Sequence, residues 1–101
     1  MGARKTIQFN KEKVSASTIY LAISHPARLQ MIESIRKSHF IRAKELEKDL
    51  GVSRTSLLYH LDILKELGIV QYDYDTHHYL LYINEAPLEE ARDFLSNLIG
   101  Q

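Results

Sequence analysis

The chain has 101 residues, 45% of them hydrophobic and 26% charged, with acidic and basic side chains in equal number. That length supports one domain around one modest core. The absence of cysteine excludes disulfides, thiolate metal sites and cysteine nucleophiles, and no apolar run approaches the roughly 20 residues of a membrane span.

Arg4, Lys5, Lys11 and Lys13 interrupt any leading apolar stretch, so no signal peptide is expected and a cytoplasmic location is. The zero net charge hides an uneven distribution. Residues 1–60 carry eleven Lys and Arg against five Asp and Glu; residues 61–101 carry two against eight. A basic half is the footprint that phosphate binding needs. The plainer alternative is that these charges only keep a small domain soluble.

Residues 1–10 show no periodicity and read as a flexible basic arm. Residues 11–101 read as a single domain. Residues 11–24 form a helix through Val14, Ile19, Ala22 and Ile23, with Tyr20 and Leu21 adding apolar surface on another side. Pro26 opens a second helix over 26–37, capped by Ser24 or His25, with Leu29, Ile32 and Ile35 buried. Residues 38–42 lean towards a short strand through Phe40 and Ile41.

The most informative stretch is 43–70, AKELEKDLGVSRTSLLYHLDILKELGIV. Ala43, Leu46 and Leu50 mark the buried stripe of a third helix, and Gly51 stands where helices commonly end in a left-handed residue. Ser53 is a good N-cap for the next helix. Val52 before it and Leu57 after it can form a hydrophobic staple. Leu57, Leu61, Leu64 and Leu67 carry that fourth helix to Gly68. Helix, short Gly-containing turn, helix is the helix-turn-helix unit, whose second helix enters the DNA major groove.

Residues 69–75 then alternate, with Val70, Tyr72 and Tyr74 on one face, as a half-exposed strand does. YLLYIN, 79–84, is a second strand. The link Thr76-His77-His78 lacks Gly, so a looser loop than a two-residue turn is expected. Residues 87–99 close the chain as a helix with Leu88, Ala91, Leu95 and Leu98 in a stripe. The predicted fold is mainly α with a small β-hairpin: helix, helix, strand, helix, helix, hairpin, helix, a winged helix-turn-helix.

Over residues 19–84 the chain resembles the ArsR-like winged-helix transcription regulators. The resemblance lies in LAISHPARLQMI, in the Gly-Val-Ser turn, and in Tyr-His-Leu-x-x-Leu-x-x-x-Gly-Ile-Val. It implies a homodimer, built largely from the first and last helices, on a near-palindromic double-stranded DNA operator. It makes Ile19, Tyr20, Leu88, Ala91, Leu95 and Leu98 the candidate dimer residues. Members that sense metals use Cys pairs on the third helix or His and carboxylates on the last. This chain has no Cys, and no His stands beside Glu89, Glu90 and Asp93, so a non-metal-sensing member is expected, without cofactor. A small-molecule effector is allowed by the resemblance but not indicated by any residue.

Taking the helix from Ser53, the face opposite the leucine stripe presents Thr55, Leu58, Tyr59 and Asp62, flanked by Arg54 and Ser56. Arg54 suits guanine, and Thr55 and Ser56 suit base edges or phosphate. Leu58 suits either a thymine methyl or a contact with the wing or a neighbouring helix. Tyr59 suits phosphate or open solvent. His60 suits base readout or, at the edge of the stripe, packing. Arg42 and Lys44 suit phosphate or plain solvation, and Arg28 suits a salt bridge or cap more than a DNA contact.

The wing tip, Asp75, Thr76, His77 and His78, is acidic where a basic tip is usual. Neighbouring strand residues point opposite ways, so His77 and His78 make a poor chelating pair and no metal site is expected. Their protonation below about pH 6.5 would neutralise the tip and strengthen DNA binding. The rival reading is a winged-helix module that holds another protein. The acidic wing and Asp62 favour it, and the basic start of the recognition helix opposes it. No Gly-rich phosphate loop, metal-ligand cluster or nucleophile with a placed base marks an enzyme.

Overall fold

The computed structural model describes residues 8–74 and 79–100. Among the described residues, five helices and a two-stranded antiparallel hairpin follow in the order α1 (Lys11–Ala22), α2 (Pro26–Ser38), α3 (Ala43–Leu50), α4 (Arg54–Glu66), β1 (Val70–Tyr74), β2 (Tyr79–Ile83) and α5 (Ala86–Leu98). The helices and the hairpin follow the expected order, with boundaries moved by a residue or two. Asn10, at the end of the expected arm, is the N-cap of α1, its Oδ1 accepting from the Lys13 N–H at 2.9 Å. Residues 1–7 of the arm lie outside the described residues.

Each turn has a local cause. His25 caps α2 through Nδ1, which accepts from the Ala27 N–H at 3.0 Å, and Pro26 follows in the first turn, where its missing N–H costs nothing. At the other end of α2, His39 has φ +65° and ψ −55°, and the Phe40 N–H donates back to the Ser38 carbonyl at 2.8 Å. That is a strained three-residue turn. It swings the chain into Ile41, which exchanges two hydrogen bonds with Leu81, at 3.0 and 2.8 Å. The expected strand at 38–42 is thus a single bridge on the edge of the hairpin.

Gly51 ends α3 in the left-handed region at φ +64°. Ser53 caps α4, its hydroxyl oxygen accepting from the Ser56 N–H at 3.2 Å. Val52 and Leu57 both join the core across that corner.

Met31, Ile35, Leu46, Leu57, Leu64 and Ile69 are fully buried and draw α2, α3, α4 and the base of the hairpin together. At 20–33 cal/mol per Å² of apolar surface, each such side chain contributes about 1.5–3 kcal/mol. The hairpin pairs Val70 with Ile83 and Tyr74 with Tyr79. Asn84 anchors its base: its N–H donates to the Ile69 carbonyl at 2.9 Å and its Nδ2 to the Gly68 carbonyl at 3.2 Å. Helices α1 and α5 pack on each other beside this unit. The Tyr20 hydroxyl donates to the Ala91 carbonyl across that contact.

Candidate nucleic-acid interface

The leucine stripe turns Leu57, Leu61 and Leu64 inward, so the opposite side of α4 is presented outward. Arg54, Thr55, Leu58 and Tyr59 are all exposed, and Ser56 is half-buried beside them. Leu58 and Tyr59 keep 44% and 62% of their surface open, far more than core residues of a helix would. An exposed leucine and tyrosine on the first two turns of a helix, beside Arg and Thr, form a face able to meet both base edges and phosphates. Arg42 and Lys44, at the start of α3, are exposed on the same motif.

Two of these cations already have anionic neighbours. Arg54 Nε donates to Glu47 Oε2 at 3.2 Å, and Arg42 Nε lies 3.7 Å from Glu45 Oε1. Both pairs are solvent-exposed to a large degree and are weak in water. They are ties that a phosphate or a guanine can replace. The Ser53 hydroxyl serves as a helix cap and is engaged in that role.

The motif that builds this face has a known counterpart. Residues 25–72 match the model of the bacterial regulatory protein, arsR family. Over that stretch the chain is similar to the arsR family. It is similar in structure to an ArsR-like transcriptional regulator from a Rhodococcus species, at 20% identity and a TM-score of 0.78, over 85% of this chain and 80% of that one. It is also similar to an E. coli protein described as a predicted DNA-binding transcriptional regulator, at 28% identity and a TM-score of 0.68, over 85% and 90% of the two chains. A third likeness is to a homodimeric winged helix-turn-helix DNA-binding domain from Mycobacterium bovis, a possible ArsR-family regulator. There the identity is 14% and the TM-score 0.68, over 93% of this chain and 90% of that one. No curated protein matches the chain.

Within this ArsR-like frame, several expected site residues take other places. His60 is the main correction. It is 7% exposed and turned away from the reading face. It stands three residues after Leu57 and four before Leu64, so helical spacing already put it in the stripe. Its Nδ1 faces Arg28 Nη1 at 3.1 Å, and its ring lies 4.6 Å from that of His25. Burial, then the charges of His25 and Arg28, hold its pKa below the usual 6.5. Arg28 is itself buried and donates from Nε to the Ala22 carbonyl, the last of α1. It acts as a cap and bridge, and no described carboxylate pairs with it.

The expected dimer residues divide. Ile19 and Ala91 are buried between α1 and α5 of the same chain, Tyr20 bonds to Ala91, and Leu88 packs on the core. The two helices consume these residues internally, because each satisfies the stripe of the other. Leu95 and Leu98 do remain open, at 48% and 66% exposure, and Val14, Leu21 and Ile99 join them as exposed apolar side chains.

Asp75, Thr76, His77 and His78 lie outside the described residues. Below that tip, Tyr79 meets Tyr72 and Tyr74 edge-on, with centroids at 5.0 and 4.7 Å, and Lys65 Nζ sits 5.1 Å from the Tyr72 ring. The wing stem therefore carries an exposed tyrosine cluster. Among the described residues no group of three or more His, Asp or Glu is arranged to hold a metal, and no helix is long and apolar enough to cross a membrane.

Proposed function

We propose that this chain is a homodimeric transcription regulator that binds a near-palindromic double-stranded operator, with α4 in the major groove. The observation that carries the reading is the outward face of α4. Arg54, Thr55, Leu58 and Tyr59 stand exposed on its first two turns, within an arsR-family helix-turn-helix. Arg54 reads guanine, Thr55 and Ser56 read base edges or phosphate, Leu58 packs on a thymine methyl and Tyr59 holds phosphate. Arg42 and Lys44 position the motif on the backbone. Asp62 and Glu66 repel phosphate, so only the start of the helix enters the groove. The exposed Val14, Leu21, Leu95, Leu98 and Ile99 supply the apolar surface for pairing two copies. Repression, by covering promoter DNA, is the mode this reading carries. It also carries a cytoplasmic, DNA-associated location and no catalytic role.

In vitro selection from random duplex DNA, followed across a salt series, tests it. The expected result is an inverted repeat with half-sites one helical turn apart or a multiple of it. Affinity should fall steeply with salt through counterion release. Enrichment of no sequence, with weak binding at every salt, sinks the reading. It would favour instead a module that holds another protein, which the Arg54–Glu47 tie and the acidic C-terminal half already suit.

A further inference from the structure

We propose that Arg28 is a positioning residue for DNA binding: it latches the recognition helix to the end of α1 through His60, and the latch holds only while His60 is uncharged. The consequence for DNA rests on the function proposed above; the latch itself does not.

The geometry allows one arrangement of protons. A guanidinium donates and cannot accept. With Arg28 Nη1 3.1 Å away, His60 Nδ1 must therefore accept, which puts the ring proton on Nε2 and leaves the imidazole neutral. The other side of the same guanidinium holds the Ala22 carbonyl through Nε. One buried side chain of α2 thus ties the last residue of α1 to the middle of α4.

Protonation undoes this. Charged His60 carries N–H on both nitrogens, so the acceptor is lost and two cations meet in a buried site. The two basic groups facing His60 act in the same direction. From α2 comes Arg28, and from its N-cap His25, whose ring lies tilted at 4.6 Å while its Nδ1 caps the helix. From α1 the Ala22 carbonyl engages Arg28. From α4 itself comes Tyr59, edge-on at 5.2 Å. No described carboxylate forms an ion pair with either His60 or Arg28. The Tyr59 contact also gives a route outward, because the same ring stands on the exposed reading face.

The sign follows. The His60 pKa is lower in the folded chain than the unfolded value of 6.5. The stability it contributes is therefore fully present above about pH 6.5 and is lost as pH falls through the lower folded value. Acid should loosen α4, the opposite of what protonation of an acidic wing tip would do.

The test compares wild type with His60→Asn, whose side-chain oxygen can accept from Arg28 and does not titrate. Binding of the selected duplex is measured at pH 7.5 and pH 5.5 at matched salt. The ratio of wild-type to variant affinity should fall about threefold to tenfold on acidification, tenfold being one pKa unit of coupling. An unchanged ratio overturns the latch. If the variant fails to fold, imidazole nitrogen NMR of the wild-type chain decides. An Nε2–H tautomer with a midpoint below 6.5 supports the latch, and an Nδ1–H tautomer or a midpoint at or above 6.5 overturns it. If neither protein binds any duplex at either pH, the DNA-binding reading fails. The latch then stands if wild type alone loses thermal stability in acid, and falls if both proteins lose it equally.

Discussion

Arg54 is both the base reader in the proposed function and a residue held by its own chain, 3.2 Å from Glu47. The two facts predict opposite effects from neighbouring substitutions. Arg54→Ala should cost about 1–3 kcal/mol of specific binding and relax one position of the operator. Glu47→Gln should raise DNA affinity, because the guanidinium no longer leaves a carboxylate to reach the groove. Folding stability should change little, since exposed pairs are worth about 0–1 kcal/mol. Anisotropy titrations against the operator and one base-substituted copy check both effects. A Glu47→Gln protein that binds more weakly than wild type would show that the tie orients Arg54 instead of restraining it.

At the scale of the element, the sharp corners are where single residues decide the path. Gly51 takes φ +64° with open space around its α-carbon, so a methyl group there meets no neighbour and only the backbone is penalised. Gly51→Ala should therefore destabilise by about 1–2 kcal/mol. His39 sits at φ +65°, a conformation that non-glycine residues rarely adopt. His39→Gly should relieve about 1–3 kcal/mol of strain against a Gly entropy cost of about 0.5–1 kcal/mol, for a net gain in stability. Urea melts of both variants read the two signs directly. The corner after Gly51 matters beyond stability, because the Ser53 cap and the Val52–Leu57 contact set where the first turn of α4 points.

At the scale of the whole molecule, the α1 and α5 helices pack on each other and present what remains. Ile19, Tyr20 and Ala91 lie in the intrachain contact, whereas Leu95 and Leu98 stay open near the chain's C-terminal end. Replacing both leucines by Glu should leave the core intact and abolish the proposed dimer. Analytical ultracentrifugation should then show a monomer, and the slope of log affinity against log salt should drop to about half, as one half-site replaces two. A double variant that still sediments as a dimer would move the interface elsewhere, with the exposed tyrosines of the wing stem the next surface to change.

The element order, the helix-turn-helix corner, the Ser53 cap and the leucine core of α4 were all legible in the sequence. Turn chemistry and helical spacing act over a few residues, so the local pattern carries them. The outward set Arg54, Thr55, Leu58 and Tyr59 follows from the same periodicity. Other features needed the tertiary structure. Arg28 and His60 are 32 positions apart, Tyr20 and Ala91 are 71 apart, and Arg54 finds Glu47 only once α3 and α4 cross. Which tyrosines meet depends on the register of the hairpin, which pairs Tyr74 with Tyr79. A stripe shows that a residue is covered but not by what. The relative orientation of packed elements decides the partner, and that orientation is set by the whole core at once.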